Sequence, residues 1–182
     1  MATKKKRQPA SKKLYTLEVC LISGLVTDEF AKANPVVKRT IEIRGDQTLA
    51  DLHRAIFEAH DREEEHMFEF EFGDGPTDPA GTRYVLSVEE DSFFSNPDDK
   101  PVGDLTTTTL DELELEEDQS FWYWFDFGDD WRHQIDVAAI GETTPRTRYP
   151  RIVARQGESP PQYIDWDDED DDYEDEGHDE EE

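Results

Sequence analysis

Alternation of apolar and polar side chains marks two β-strands near the start of the chain. Residues 14–22 alternate in this way, and residues 37–43 do so again after a loop around Gly24 to Pro35. A period of two is typical of a strand that is buried on one face. We therefore predict strands over 14–22 and 37–43 that pair antiparallel.

A helix and a third strand follow. Thr48 and Asp51 have the spacing of a capping box, and apolar residues at helical intervals come directly after Thr48, which predicts a helix over 49–60. Residues 66–72 place His66 and three phenylalanines on one face and Met67 and two glutamates on the other, which indicates a strand. Further along, residues 84–88 are a candidate short strand, and residues 110–115 fit either a helical turn or the start of a strand.

Aromatic residues are densest in the segment 121–137. Five consecutive aromatics at 121–125 and a sixth at Phe127 favour a strand, and Gly128-Asp129-Asp130 indicates a tight turn. The return strand carries Trp131, His133 and two aliphatic residues on one face. This segment is therefore predicted to be a β-hairpin.

The order strand, strand, helix, strand predicts an α+β fold. We expect a β-grasp-like mixed sheet, covered by one main helix and extended by the aromatic hairpin at 121–137. The domain is expected to span 14–163, between a disordered basic arm at 1–13 and a disordered acidic tail at 164–182.

Charge argues against nucleic-acid binding by the body of the domain. The net charge is -28; removing the six basic residues of 1–13 and the fourteen acidic residues of 165–182 leaves -20 on the remaining chain. Such a body repels phosphates. DNA handling through the basic arm is an alternative, and the acidity also fits a saline habitat.

Location and cysteine content narrow the class of protein further. The sequence contains no run of about 18 apolar residues, and no apolar stretch follows its lysine-rich start. We therefore expect a cytoplasmic protein without a membrane partner. Cys20 is the single cysteine and falls in a strand pattern, where we expect it to pack as a small hydrophobe.

Three segments together resemble the plasmid pRiA4b ORF-3-like family, whose relatives include a passenger protein of insertion sequences. Thr48-Leu49, Leu52-His53 and Ile56 are similar to the family's helix motif, and His66 to Phe70 is similar to its His-Leu-x-x-Phe strand. Residues 123–133, YWFDFGDDWRH, resemble its Tyr-x-Tyr-Asp-Phe-Gly-Asp-x-Trp-x-His signature, with Phe125 in place of the second tyrosine.

The resemblance implies a fold more than a function. It covers roughly residues 14–163, and the family looks like a compact α+β domain without an assigned activity, loosely associated with plasmids and mobile elements. Residues 157–163 keep a Pro-Pro pair but lack the Cys, Glu-Asp and Gly-Gly that longer members carry there.

Four motif residues are candidate metal ligands: His53, His66, Asp126 and His133. Imidazole and carboxylate are the ligand types of a hydrolytic Zn, Mn or Fe site, so a metal-dependent hydrolase with a divalent cation is one hypothesis. The spacing matches no compact ligand motif, and His53 lies on the apolar face of its helix, where a hydrogen-bonded core histidine is the simpler interpretation.

Asp126 and His133 are also the candidate catalytic pair. A two-residue turn would place them on one face of the hairpin, where the pair could orient an imidazole for proton transfer or lock the hairpin; a three-residue turn would change the parity. We favour the structural lock.

Trp122, Trp124, Trp131 and Arg132 are candidate binding residues. The indoles could stack on a base, a sugar or a peptide, and a protein partner fits the acidic surroundings best. The sequence contains no phosphate-binding glycine loop or nucleophile elbow. We favour a non-enzymatic interaction module with a protein partner, over the metal-dependent hydrolase and DNA handling by the arm.

Overall fold

The structure is a computed structural model that describes residues 11–76, 78–86 and 101–163. The predicted basic arm, apart from residues 11–13, and the acidic tail from residue 164 lie outside the described residues. The elements within it are β1 (Lys13–Ser23), α1 (Asp28–Ala33), β2 (Lys38–Arg44), α2 (Leu49–Ala59), β3 (Phe68–Phe72), β4 (Thr82–Val85), β5 (Pro101–Asp104), a 3₁₀ turn (Asp111–Leu113), β6 (Ser120–Phe125), β7 (Trp131–Glu142) and β8 (Arg151–Gln156).

The described strands form one sheet in the order β5-β4-β3-β6-β7-β1-β2-β8. Each neighbouring pair is antiparallel except β4 and β5, which are parallel. The predicted α+β class with a mixed sheet is confirmed, and so is the antiparallel pairing of β1 with β2. The aromatic hairpin, β6 and β7, lies in the middle of the sheet between β3 and β1.

Helix α2 begins where the capping box predicts. The Thr48 hydroxyl accepts a hydrogen bond from the backbone N–H of Asp51 at 3.2 Å, and the Asp51 carboxylate accepts one from the N–H of Thr48 at 3.0 Å. Because these bonds satisfy amides that have no partner within the helix, they fix its first turn. The buried face of α2 carries Leu49, Leu52, His53, Ala55, Ile56 and Ala59 and joins the core on the inner face of the sheet.

Alternation along the hairpin separates two sets of aromatic side chains. Phe121, Tyr123 and Phe125 are buried in the core with α2, whereas Trp122 and Trp124 are half-buried on the opposite face of the sheet. Ring pairs such as Phe72 on Phe121, stacked at 4.7 Å, fill the core.

Three segments differ from the sequence prediction or resolve it. The loop predicted over 24–35 contains helix α1, because the hydroxyl of Thr27 accepts from the N–H of Phe30 at 3.1 Å and caps a first turn that carries two acidic residues. The strand predicted at 84–88 is β4, at Thr82–Val85, and its last predicted positions lie outside the described residues. The ambiguous segment 110–115 contains a single 3₁₀ turn.

In the part of the chain that the structure describes, no helix is both long and apolar enough to cross a bilayer.

Candidate functional site

The loop of the hairpin is longer than the tight turn that the sequence suggests. Phe125 pairs with Trp131 at the end of the ladder, so five residues, 126–130, make the connection. Asp126 and Asp130 adopt left-handed backbone angles, with φ of 52° and 53°. The Asp126 carboxylate accepts hydrogen bonds from the N–H groups of Gly128 and Asp129 at 3.2 and 3.4 Å, which closes the turn.

Among the described residues the structure does not pair Asp126 with His133, because neither ring nitrogen of His133 has a hydrogen-bond partner. The five-residue loop takes Asp126 out of the ladder, while His133 stays on the inner face beside Tyr123. The Asp126 carboxylate instead lies 3.6 Å from Nε2 of His66. The loop length, which the sequence did not reveal, decides which histidine the carboxylate faces.

His53 is hydrogen-bonded at both ring nitrogens. Its Nδ1 lies 2.8 Å from the Tyr123 hydroxyl and its Nε2 lies 3.0 Å from Glu65 Oε2, and its ring stacks on Phe68 at 3.5 Å. Burial lowers the pKa of His53 and raises the pKa of Tyr123. The neutral imidazole therefore donates from Nε2 to Glu65 and accepts at Nδ1 from the phenol.

A second buried cluster surrounds His133. The rings of His60 and His133 are 4.8 Å apart, and the guanidinium of Arg62 lies 3.6 Å from the ring centre of Trp131. These four side chains are at least nine-tenths buried. The sequence reasoning missed His60 and Arg62, because both lie at or beyond the end of the predicted helix and belong to none of the three motifs.

The four candidate metal ligands do not meet at one point. His66 faces Asp126, His53 is used by Tyr123 and Glu65, and His133 packs against a second histidine. Across residues 11–76, 78–86 and 101–163, no three His, Cys, Asp or Glu side chains are grouped so that they could hold a metal ion. The described geometry therefore does not assemble the predicted hydrolase site.

The three tryptophans of the hairpin are not one platform. Trp131 is buried on the inner face, since it pairs with Phe125, whereas Trp122 and Trp124 point to the outer face. Arg132 shares the outer face: its guanidinium lies 3.9 Å from the Trp124 ring centre, and its Nε donates to the Asp130 carboxylate at 2.8 Å. Parity along β7 accounts for the separation.

The segment 158–163 is tied to the loop that follows α2. The side-chain oxygen of Gln162 accepts from the N–H groups of Glu63 and Glu64 at 2.8 and 3.0 Å, and its nitrogen donates to the Glu64 carbonyl at 2.8 Å. Gln162 is buried. This clamp holds the loop 60–66, which carries Arg62 and His66, against the hairpin.

Three exposed apolar or aromatic side chains lie on segments that meet near the hairpin loop, and we call them the hairpin-tip surface: Met67, Phe127 and Tyr163. Their exposed fractions are 66%, 38% and 46%. The N–H of Asp126 donates to the Met67 carbonyl at 2.9 Å, which joins the segment of Met67 to the hairpin loop that carries Phe127. The Tyr163 hydroxyl lies 2.9 Å from Nε2 of His66, the residue before Met67.

Carboxylates surround the hairpin-tip surface. The Tyr163 hydroxyl donates to Glu64 at 2.9 Å. Burial, this hydrogen bond and the negative charges of Glu64, Asp126 and Asp129 raise the pKa of Tyr163. Asp130 adds an exposed acidic side chain in the hairpin loop, which also carries Asp126 and Asp129. The exposed side chains of the hairpin-tip surface therefore have acidic neighbours.

The fold and the converging motif residues define an α+β domain built around a central aromatic hairpin. A sequence profile described as plasmid pRiA4b ORF-3-like protein matches residues 27–176, and the chain belongs to that family. A similar solved structure is that of the protein of unknown function MM3350 from Methanosarcina mazei Go1. It has a TM-score of 0.62 and 22% identity, over 84% of this chain and 74% of that chain, and it supports the fold alone. No curated protein matches the sequence.

Proposed function

We propose that this chain is a non-enzymatic, cytoplasmic interaction module that binds a protein partner through the hairpin-tip surface. The observation that carries the proposal is that Met67, Phe127 and Tyr163 are exposed on three segments that hydrogen bonds join near the hairpin loop. Aromatic residues and methionine are enriched at protein interfaces, where they act as anchors. A role near plasmids or mobile elements rests on the family's description alone.

Charge specifies the kind of partner. Glu64, Asp126 and Asp129 act on Tyr163, and the chain as a whole carries -28. A negative surface speeds the encounter with a positive partner and disfavours an acidic one. The partner segment is therefore basic, with apolar side chains that cover Met67 and Phe127.

The rigidity of the surface favours binding over catalysis. Asp126 is committed to the turn and faces His66, and His66 is bonded to Tyr163, so the ionisable groups at the tip already serve to hold its shape. A surface that is ordered before binding loses less conformational entropy when a partner docks.

Site-specific photo-cross-linking in the native cell tests the proposal. A photoreactive phenylalanine analogue at Phe127 should form one dominant adduct with a basic protein. The same analogue at Val153, which is 43% exposed on β8, serves as the control and should not form this adduct. Equal adducts at both positions, or no adduct at Phe127, would refute the proposal that the partner binds the hairpin-tip surface.

A charge-matched pair of variants tests the partner's chemistry. Asp129→Asn with Asp130→Asn removes two negative charges from the hairpin loop, and Asp28→Asn with Glu29→Gln removes two from α1. Only the first double variant should weaken binding of the cross-linked partner, by about tenfold. An equal effect of both would mean that net charge, not this surface, attracts the partner.

A further inference from the structure

The cluster of His60, Arg62, Trp131 and His133 contains an unusual number of unsatisfied polar atoms. Among the described residues six of its buried side-chain nitrogens have no hydrogen-bond partner: Nε2 of His60, both Nη atoms of Arg62, Nε1 of Trp131, and Nδ1 and Nε2 of His133. Buried polar groups in folded proteins are nearly always hydrogen-bonded. Such a concentration at one place indicates a site that a ligand completes.

Elsewhere in the described residues single buried atoms also lack a partner, among them Nε1 of Trp122 and Nε1 of Trp124, but two internal comparisons set Arg62 and His133 apart. Arg39 is at least as buried as Arg62, yet its guanidinium donates to three backbone carbonyls and to the Ser159 hydroxyl at 2.7 to 2.9 Å. His53 is buried and bonded at both nitrogens, whereas His133 is bonded at neither. Among the described residues the fold therefore supplies hydrogen-bond partners for both Nη atoms of Arg39 and both ring nitrogens of His53, and none for the Nη atoms of Arg62 or the ring nitrogens of His133.

The charges at the cluster favour an anion. Within the described residues Arg62 forms no ion pair, although the more distant carboxylates of Asp126 and Asp129 act on it. The positive charges of Arg39, Arg62 and Arg155 all act on His60, and although Arg155 is exposed and paired with Asp61, Arg39 and Arg62 are buried positive groups in a chain that is acidic overall. The two Nη atoms of a guanidinium present parallel N–H groups that match two oxygens of a phosphate or a carboxylate.

His60 adds a requirement for a hydrogen-bond donor on the ligand. Its Nδ1 lies 3.0 Å from the carbonyl of Ile56, and a carbonyl can only accept, so Nδ1 carries the proton. Burial, followed by the neighbouring arginines, lowers the pKa of His60 to about 3, so the ring is neutral near pH 7 and its Nε2 is an acceptor. The site therefore offers donors from Arg62 and Trp131 and an acceptor from His60.

We propose that Arg62, Trp131, His60 and His133 form a binding site for a free, compact oxyanion that carries a proton, of the phosphate type. The anion accepts hydrogen bonds from the Arg62 Nη groups, the Trp131 indole and one nitrogen of His133, and its own O–H donates a hydrogen bond to Nε2 of His60. We propose a compact ligand because Arg62 is only 8% exposed and presents little open surface to a larger one.

Titration of the full-length protein with inorganic phosphate near pH 6.5, at constant ionic strength, tests the site without a mutation. The indole N–H resonance of Trp131 and the ring-nitrogen resonances of His60 and His133 should shift and saturate together. The indole resonances of Trp122 and Trp124, on the opposite face of the sheet, are the internal control and should not move. If the Trp131, His60 and His133 resonances do not respond to about 10 mM phosphate, the proposal is refuted, because only water then occupies the site.

Comparison with sulfate tests whether the site requires a proton on the oxyanion. Sulfate resembles phosphate in size but has no proton to give to His60 at this pH, so it should bind about tenfold more weakly. Equal affinity for sulfate would overturn the acceptor role of His60 and with it the proposed ligand class.

Variants of two arginines test the guanidinium. Arg62→Met should weaken phosphate binding by about tenfold or more, and Arg54→Met, which removes the same charge from an exposed position of α2, should not change it. If Arg62→Met does not fold, Arg62→Lys retains the charge without the paired N–H groups and should also weaken binding by about tenfold. Unchanged binding in a folded Arg62 variant would refute the site.

Discussion

The hydroxyl of Tyr123 and Nδ1 of His53 are joined by a 2.8 Å hydrogen bond between the sheet and helix α2. Both residues belong to segments that resemble family motifs, and they lie 70 positions apart. On its other side the imidazole contacts the Glu65 carboxylate at 3.0 Å. The bond therefore ties the central hairpin to α2 and, through Glu65, to the loop that carries Arg62.

Tyr123→Phe should destabilise the protein by about 1–3 kcal/mol, because it leaves Nδ1 of His53 buried without a donor. The aromatic contacts of the ring stay in place, so the loss reports the hydrogen bond alone. Urea unfolding measures the change. Tyr149→Phe removes a hydroxyl whose contact with Thr144 is exposed and should cost less than about 0.5 kcal/mol. Equal effects of the two substitutions would contradict the assigned role of Tyr123.

Stability should fall as the pH decreases below about 6.5. Burial lowers the pKa of His60 to about 3, and burial, followed by the effects of the neighbouring His60 and Arg62, lowers the pKa of His133 well below its usual value. The unfolded chain therefore binds protons in a range where the folded protein does not, which favours unfolding at lower pH. For each such histidine the free energy of unfolding should drop by about 1.4 kcal/mol per pH unit, and for His60 the loss should level off below about pH 3.

Urea unfolding between pH 7.5 and 5 measures this dependence before carboxylates begin to titrate. Stability that stays constant over that range would show that the two histidines titrate normally in the folded protein. Histidine resonances provide the second check: those of His60 and His133 should not titrate over the same range.

Gln162 should control the order of the loop 60–66. Gln162→Ala removes the acceptor of the Glu63 and Glu64 amides, so their hydrogen exchange should accelerate by about tenfold while the strands of the core keep their protection. Gln156→Ala is the matched control, because the side chain of Gln156 is exposed and only its backbone carbonyl receives Arg39. If both variants exchange like the parent protein, the clamp does not hold the loop.

Local patterns in the sequence predicted the helix and the strands, whereas the contacts of the candidate site residues depend on long-range geometry. The capping box at Thr48 and the alternation in β1, β2 and the hairpin depend on neighbours along the chain, so they could be read directly. The contact between His60 and His133 depends on how α2 crosses the sheet, and the partner of Asp126 depends on the length of a loop. Tyr163 reaches His66 across 97 positions, which no periodicity shows.

Gly24 should be required for the position of Trp131. A Cβ atom at residue 24 would overlap the six-membered ring of the Trp131 indole, whose other face carries Arg62 at 3.6 Å. The ring is therefore held between the glycine and the guanidinium, and a group added at residue 24 must displace it towards Arg62. Gly24→Ala should destabilise the protein by about 1–3 kcal/mol in urea unfolding, because a buried side chain must shift.

Gly141→Ala is the control for this substitution, since a Cβ at residue 141 would meet no atom within 4 Å. It should leave the free energy of unfolding within about 0.5 kcal/mol of the parent value. In the Gly24→Ala protein the Trp131 indole resonance should also move, because the displaced ring changes its stacking on Arg62. A Gly24→Ala protein as stable as the Gly141→Ala protein, with an unchanged Trp131 resonance, would mean that the indole is not confined as the structure describes.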